Sequence, residues 1–121
     1  MAKILIVDDM ETNRELVARF LKLGGYEYIF AGNGAEAIEA ATLEKPDLIL
    51  MDMGLPIIDG WEATKILREK EFKAPIIALT AHSMVTERDK AIEAGCTDFE
   101  SKPIDHVKLI EKIKKYLDTN T

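Results

Sequence analysis

The chain has little cysteine and no long hydrophobic run. Among its 121 residues there is a single cysteine, Cys96, so no internal disulfide can form, and a reducing compartment, the cytoplasm, is expected. No apolar run approaches the roughly 20 residues that cross a bilayer, and the opening MAKILIVDD reaches charged residues too soon for a secretory signal. These features exclude a membrane-spanning protein and a small disulfide-stabilised secreted domain.

Basic charge is also scarce. The chain has 16 Lys and Arg against 22 Asp and Glu, a formal net charge of −6. Direct binding to DNA or RNA depends on cations that neutralise phosphates, so such binding is not expected. A group of lysines near the C-terminus is assigned to the solvated end of a helix, where cations suit the helix dipole. Its members are Lys108, Lys112, Lys114 and Lys115, and His106 is likewise assigned to a solvated position on this helix.

What the chain does have is enough apolar material for one core. Hydrophobic residues make up 47% of it and no linker or repeat divides it, so residues 1–121 are predicted to form a single domain. Apolar runs of strand length alternate with amphipathic runs of helix length. The predicted strands are 3–7, 26–31, 48–51, 76–79 and 97–101, and the predicted helices are 11–23, 34–43, 61–70, 85–94 and 105–118. This alternation predicts an α/β fold with a doubly wound parallel sheet.

Polar residues follow four of the five predicted strands. Asp8 and Asp9 follow the first strand, Asp52 the third, Thr80 the fourth, and Lys102 comes just after the fifth. Ligands of open α/β sheets bind beyond the carboxyl ends of the strands. A flavodoxin-like (βα)5 arrangement with strand order 2-1-3-4-5 brings these ends to one edge. The sequence therefore predicts that the five polar residues converge.

The predicted set has the chemistry of a phosphoryl acceptor. Three carboxylates in one place repel one another by about 4 kcal/mol per pair at roughly 4 Å and an effective dielectric near 20. Mg²⁺ relieves this repulsion, since it binds few carboxylates together with waters and a phosphate oxygen. If Asp52 is the nucleophile, the Thr80 hydroxyl and the Lys102 ammonium can neutralise oxygens of the transferred group. Each residue alone is typical of a turn, a cap or a solvated charge; only the joint placement indicates a site.

Five segments carry a resemblance to a known family. They are VDDMETNRE (7–15), PDLILMDMGLPIIDGWE (46–62), PIIALTAH (75–82), AGCTDF (94–99) and SKPI (101–104). With these segments the chain resembles the CheY-like receiver domain of two-component response regulators over nearly its whole length. Within the family, NR after the acid pair and FESKPI resemble single-domain and hybrid-kinase receivers. The resemblance implies a phosphorelay protein that accepts a phosphoryl group from a sensor histidine kinase or a histidine phosphotransfer protein.

The resemblance also implies roles for the acidic residues. Asp52 is then the phosphoacceptor. Asp9, Asp52 and the backbone carbonyl of Gly54 are the implied Mg²⁺ ligands, and Asp8 acts through a metal-bound water. Mn²⁺ is expected to substitute for Mg²⁺. The implied protein catalyses its own phosphorylation and dephosphorylation and turns over no separate substrate, so it is not expected to be an enzyme in the usual sense.

Switching is implied for two further positions. Thr80 is expected to move toward the phosphoryl group, and Phe99, three residues before Lys102, to rotate inward. Because phenylalanine lacks a hydroxyl, we expect Phe99 to be directed inward more often than a tyrosine even without phosphate. The Lys102-Pro103 bond is expected to be cis. The face of the fourth helix, fifth strand and fifth helix is the expected contact for a downstream protein.

Gly54 and His82 are candidates for tuning the lifetime of the phosphoryl group. Gly54 lies two residues after the acceptor and His82 two residues after Thr80. Both positions are expected to flank the path of an attacking water. Gly54 has no side chain to shield the anhydride. An ordinary surface-loop histidine remains the alternative for His82.

Three other classes of protein were weighed. A haloacid-dehalogenase-like phosphatase needs an aspartate where Gly54 stands, and an FMN binder needs a glycine- and hydroxyl-rich loop where residues 8–11 read DDME. A receiver-like interaction module that works without phosphorylation remains the alternative, although such modules usually lack one of the site residues. The opening MAKILIVDD and the closing KKYLDTNT favour a stand-alone receiver over a piece of a longer hybrid protein.

Overall fold

The computed structural model describes residues 2–81 and 85–118, with the side chains of residues 85–88 and 118 left aside. Its strands are β1 (Lys3–Val7), β2 (Glu27–Ala31), β3 (Leu48–Asp52), β4 (Ile76–Thr80) and β5 (Asp98–Ser101). Its helices are α1 (Glu11–Leu23), α2 (Gly34–Glu44), α3 (Gly60–Glu69), α4 (Val85–Ala94) and α5 (His106–Asp118). The strands form one sheet in the order β2-β1-β3-β4-β5, and every neighbouring pair is parallel. The predicted fold class and strand order are confirmed.

The element boundaries differ from the predicted ones by one residue in several places. β3 and β4 each continue one residue further, because Asp52 pairs with Leu79 and Thr80 pairs with Ser101 in the sheet register. α5 begins at His106 rather than at residue 105, since the Asp105 carboxylate accepts hydrogen bonds from the backbone of Val107 and Lys108. The functional polar residues of β3 and β4 are therefore the last members of their strands.

The core consists of two layers, one on each face of the sheet. β3 and β4 are buried along their whole length, as expected for the central strands of a parallel sheet covered on both faces. One layer packs the sheet against α2, α3 and α4, with Ile49, Met51, Ala63, Leu67 and Ala91 among its members. The other packs it against α1 and α5, with Leu48, Leu50, Leu21, Leu109 and Ile113 among its members. This double covering holds the strand ends rigidly in place.

Cys96 and Trp61 belong to the core layer that includes α3 and α4. Cys96 is buried and free, and its thiol donates to the Thr64 hydroxyl at 3.8 Å, so it fills space in the core. Burial raises the pKa of this thiol. Trp61 is partly buried against the core, and the Lys90 ammonium lies 4.7 Å from the centre of its ring.

Gly34 at the start of α2 sets how closely this helix approaches the loop after β3. A Cβ atom at this position would lie 1.9 Å from the Ile58 carbonyl oxygen, a backbone atom that cannot simply rotate away. The absence of a side chain therefore lets α2 contact the segment that connects Asp52 to α3.

We predict that Gly34→Ala lowers the free energy of unfolding by at least about 2 kcal/mol, because the backbone must shift to accept the methyl group. Urea unfolding followed by circular dichroism measures the change. Gly54→Ala is the matched control, since a Cβ there meets only the Asp52 Oδ1 atom, at 3.8 Å. Equal stability losses in the two variants would contradict the close approach at Gly34.

Candidate acidic metal and phosphoryl site

Three carboxylates meet at the carboxyl edge of β1 and β3. Asp52 ends β3 and Asp8 directly follows β1, and both are buried, while the neighbouring Asp9 is exposed. One carboxylate oxygen from each of the three lies within 4.8 Å of the others. The parallel order of the central strands produces this arrangement, because it brings the ends of β1 and β3 side by side. The predicted convergence of the acids is therefore seen in the structure.

Lys102 completes this cluster from the other side. Its Nζ atom lies 3.2 Å from Asp52 Oδ2, and its backbone N–H donates to the Thr80 carbonyl at 2.7 Å. The Lys102-Pro103 peptide bond is cis, as predicted. The second Asp52 oxygen, Oδ1, accepts a hydrogen bond from the Gly54 backbone N–H at 3.1 Å. Asp52 is thus held by a cation and a backbone donor beside two further acids.

Thr80 and Gly54 border the Asp52 carboxylate on two sides. Thr80 is buried at the end of β4, the strand that pairs with β3. Gly54 is exposed, and a side chain at its position would meet little besides Asp52 Oδ1. The space in front of Asp52 is consequently open on the Gly54 side. His82, the other residue predicted to tune this space, lies outside the described residues.

Asp8 has a raised pKa in this cluster. Burial raises its pKa above the ordinary value, and the carboxylates of Asp52 and Asp9 add to the rise. The Met10 backbone N–H, which donates to Asp8 Oδ1 at 2.9 Å, and the Lys102 ammonium act in the opposite direction without cancelling it. The folded protein therefore holds a proton on Asp8 more tightly than the unfolded chain does.

This raised pKa fixes the sign of a pH effect on stability. Below the unfolded-state pKa, near 3.8, Asp8 is protonated in both states and costs nothing. As the pH rises from there through the folded-state pKa, the buried carboxylate ionises and stability is lost. The loss is complete at neutral pH unless a cation joins the cluster.

We predict that Asp8→Asn raises the free energy of unfolding at pH 7 in buffer with a chelator, because the uncharged amide removes the repulsion and keeps an oxygen for the Met10 N–H. The advantage should shrink toward zero as the pH falls below about 4. Urea unfolding at a series of pH values measures it. Glu39→Gln, an exposed acid on α2, removes the same charge and should leave the pH profile unchanged. An Asp8→Asn variant no more stable than wild type at pH 7 would contradict the crowding.

Phe99 occupies the middle of β5 with its ring half-buried. The ring packs against the core layer that includes Ala78 and Ala91, so it is directed inward rather than standing in solvent. The Lys112 Nζ atom lies 5.6 Å from the ring centre and donates to the Phe99 carbonyl at 2.6 Å. The expected preference for inward orientation over that of a tyrosine, and the role of Phe99 in switching, stay predictions.

Two residues that were expected to be solvated are not. The Lys112 ammonium pairs with Asp98 at 3.3 Å and Glu100 at 2.8 Å, because these acids alternate along β5 and face α5. His106 is half-buried and stacks on Phe20 with ring centres 4.1 Å apart. Helical charge patterns describe only one element at a time, so the partners on β5 and α1 were missed.

Tyr116 extends the network around Lys112. Its hydroxyl donates to Asp98 Oδ2 at 2.7 Å, and burial together with this bond raises the pKa of Tyr116 to about 12. Burial alone would raise the pKa of Asp98, but the Tyr116 hydroxyl, the Phe99 N–H and the Lys112 ammonium outweigh it and lower that pKa. The spacing of Lys112 and Tyr116, one helical turn apart, was the available signal for a shared contact with β5.

A cavity of about 320 Å³ adjoins the acidic cluster between α1 and the segment before α5. Its polar side includes Asp8, Asn13 and Lys102, and its apolar side includes Leu16 and Ile104. Leu16 is partly exposed and Val107 nearby is largely exposed. The acidic site thus opens beside an apolar surface.

The fold and the site define a class of protein: a parallel α/β domain with an acidic, lysine-paired site at the strand ends. The protein-family model for the response regulator receiver domain matches residues 4–114 of this chain. The chain is 40% identical to the polar-differentiation response regulator DivK of Brucella anthropi over 94% of each chain. The chain therefore belongs to the response regulator receiver family, the signal-transducing acceptor domains of two-component phosphorelays.

Solved structures agree with this assignment. The receiver domain of a sensor histidine kinase from Pseudomonas aeruginosa superposes with a TM-score of 0.89 at 32% identity, covering 97% of this chain and 98% of the other. That domain holds a magnesium ion coordinated in its active site cleft. A receiver domain from Saccharomyces cerevisiae, solved with a histidine phosphotransfer protein, superposes with a TM-score of 0.94 at 30% identity, covering 98% and 90%.

The carboxylate cluster of this chain fits the same kind of ion. Its donors are hard oxygens, two of them buried beside an exposed third, which suits a Mg²⁺ that keeps several waters.

Among the described helices, none is long and apolar enough to cross a membrane.

Proposed function

We propose that Asp52 is the residue that takes the phosphoryl group. The observation that carries this proposal is the position of its carboxylate, which is buried at the end of β3. The carboxylate forms an ion pair with Lys102 and lies close to the carboxylates of Asp8 and Asp9. Of the three clustered acids, Asp52 is the one whose carboxylate forms an ion pair with Lys102 among the described residues. Its Oδ1 atom also faces the open space at Gly54.

The proposed transfer is an in-line displacement at phosphorus. An Asp52 oxygen forms the new P–O bond while the bond from phosphorus to the donor's histidine nitrogen breaks, and that nitrogen keeps the electron pair and takes up a proton. The Lys102 ammonium and the Thr80 hydroxyl stabilise oxygens of the transferring group. These groups act from the receiver itself, so the domain promotes its own phosphorylation and, with water as the attacking group, its own dephosphorylation.

The family resemblance and the acidic cluster support a set of metal ligands. We assign Asp9, Asp52 and the Gly54 carbonyl as direct ligands of Mg²⁺, with Asp8 acting through a bound water. When bound, the ion neutralises charge on the carboxylates and on the phosphoryl oxygens. Mn²⁺ is assigned as a substitute. Gly54 and His82 are the positions proposed to govern how easily water reaches the acyl phosphate.

The signal is proposed to leave through α4, β5 and α5. Thr80 ends β4 beside Ser101 of β5, and Phe99 lies in the same strand, so a movement of Thr80 reaches the ring through two paired strands. A downstream protein that contacts this face in one state only reads the change. The whole of residues 1–121 is assigned to this one receiver domain, and a cytoplasmic location is part of the proposal.

The phosphodonor is proposed to approach over α1. The S. cerevisiae neighbour was solved with a histidine phosphotransfer protein, which supports a protein donor here. In this chain, the exposed Leu16 side chain and the partly buried Ile104 line the cavity beside Asp8 and Lys102. Apolar contacts there would place a donor histidine next to Asp52.

We predict that phosphoramidate with Mg²⁺ adds one phosphoryl group to the wild-type protein and none to Asp52→Asn, because the amide cannot form the acyl phosphate. Intact mass spectrometry detects the adduct. Asp59→Asn is the matched control and should be labelled as wild type, since Asp59 is an exposed helix cap whose amide can still accept the Glu62 N–H. An equal adduct on Asp52→Asn would sink the assignment. A wild type that takes no adduct would favour the interaction module that works without phosphate.

We also predict that Mg²⁺ raises the free energy of unfolding by about 2.7 kcal/mol at 100 times its dissociation constant, because it binds the folded cluster only. Thermal and urea unfolding with and without the ion measure the gain. Asp9→Ala should abolish most of it by removing the exposed ligand. The Glu39→Gln control should keep the full gain, and an Asp9→Ala variant that does so would overturn the ligand assignment.

A further inference from the structure

Arg14, on the first turn of α1, makes a contact that the phosphoryl chemistry does not explain. Its Nη1 atom donates to the Asp8 backbone carbonyl at 2.9 Å. That carbonyl belongs to the peptide bond between Asp8 and Asp9, the two acids that follow β1. Arg14 therefore contacts the backbone of the acidic cluster rather than any of its carboxylates.

The Asp8 carbonyl needs this donor because the sheet ends here. The Asp8 N–H still bonds to the Ala31 carbonyl, in line with the β1–β2 register. In a parallel ladder the next donor along β2 would be the Asn33 amide, but Asn33 is the N-cap of α2. The guanidinium takes the place of the missing ladder donor and fixes the peptide from the β2 side.

The guanidinium is itself held in position by its surroundings. Its Cζ atom lies 5.6 Å from the centre of the Phe30 ring, which is partly exposed at the sheet edge. Gly32 leaves room for it, since a Cβ there would lie 3.3 Å from Nη1. Arg14 forms no ion pair with the described residues, and its buried Nε atom has no hydrogen-bond partner there. A buried N–H without a partner costs stability, so charge pairing does not account for this placement.

Asp8 also holds the backbone at the start of α1. Met10, the N-cap residue, has no side-chain cap, and its N–H instead donates to Asp8 Oδ1. The Asp9 side chain makes no hydrogen bond or ion pair with the described residues. The direction of the Asp9 carboxylate is consequently set by the backbone on either side of it, of which the Asp8–Asp9 peptide is the nearer part.

We propose that Arg14 is a positioning residue for the metal site: by holding the Asp8 carbonyl, it keeps the Asp9 carboxylate directed toward Asp52. This inference rests on the proposed function, in which Asp9 and Asp52 are ligands of Mg²⁺. Groups that orient metal ligands in this way typically change metal affinity by 10- to 100-fold when they are removed.

Loss of the Arg14 charge and loss of its positioning role should change the Mg²⁺ affinity in opposite directions. The sign of the change therefore separates the two. A cation near a cation site lowers affinity, so loss of the charge alone should tighten Mg²⁺ binding slightly. A weaker affinity after removal of Arg14 therefore reports lost positioning and not lost charge.

The experiment is isothermal titration calorimetry with Mg²⁺ on the whole chain. Arg14→Met should raise the dissociation constant about tenfold or more. Arg19→Met is the matched control: it lies on the same helix, is exposed and loses the same charge, so its constant should stay within about twofold of wild type. Arg14→Lys keeps the charge but not the planar donor over Phe30, and it should also weaken binding.

A second measurement separates positioning from a general loss of structure. Amide hydrogen exchange at Asp9 and Met10 should speed up in both Arg14 variants while the amides of β3 stay protected. At saturating Mg²⁺ the labelling rate from phosphoramidate should return toward that of wild type, because the ligands themselves are intact. If Arg14→Met does not fold, Arg14→Lys carries the comparison.

The outcomes distinguish this inference from the proposed function. A wild type that binds Mg²⁺ and is labelled on Asp52, with both Arg14 variants within twofold of Arg19→Met, would overturn the role of Arg14 alone. A wild type that neither binds Mg²⁺ nor forms the Asp52 adduct would remove the proposed function and this inference together.

Discussion

Repulsion among three carboxylates is the constraint on which the rest of this structure depends. Asp8, Asp9 and Asp52 have oxygens within 4.8 Å of one another, and two of the three side chains are buried. At roughly 4 Å and an effective dielectric near 20, two carboxylates repel by about 4 kcal/mol, and solvent weakens the repulsion for the exposed Asp9. The fully buried β3 and β4 strands hold the acids in place against this force, with Lys102 as a partial counterweight.

The same repulsion makes the site responsive. A cluster that is short of positive charge gains stability from a divalent ion and from any group that brings one, so binding and folding are linked. Burial is the main cause of the raised pKa of Asp8, and the carboxylates of Asp52 and Asp9 add to it. In a receiver domain, the transferred phosphoryl group and its counterion change the net charge of this acidic cluster. Thr80 and Lys102 lie at the edge of the cluster where that change occurs. Signalling then follows from how the neighbouring strands accommodate the change.

The contacts differ among three cationic side chains, those of Lys102, Arg14 and Lys112. Lys102 contacts a carboxylate of the cluster directly, whereas Arg14 contacts only backbone. Lys112 lies on the far side of β5, where it joins Asp98, Glu100 and the Phe99 carbonyl. Its ammonium also lies near the Phe99 ring, so α5 and β5 are tied together at the residue expected to switch.

The elements and the acidic set could be predicted because their signals are local. Apolar runs and helical spacing located each strand and helix to within a residue or so, and the polar residues that follow four of the five predicted strands marked the site. Gly54 was found because it is close to Asp52 in sequence. Lys112 and His106 were misjudged for the opposite reason: their partners, Glu100 and Phe20, lie on other elements.

The sequence alone therefore determined which residues form the sheet, in what order the polar ends occur, and the kind of chemistry they offer. Strand periodicity and residue type can both be read directly from the order of residues in the chain. The tertiary structure alone decided that Lys102 reaches Asp52, that Arg14 completes the ladder at Asp8, and that Asp8 rather than Asp9 is buried. These features depend on distances between elements, and packing of the two core layers sets such distances only when the chain has folded.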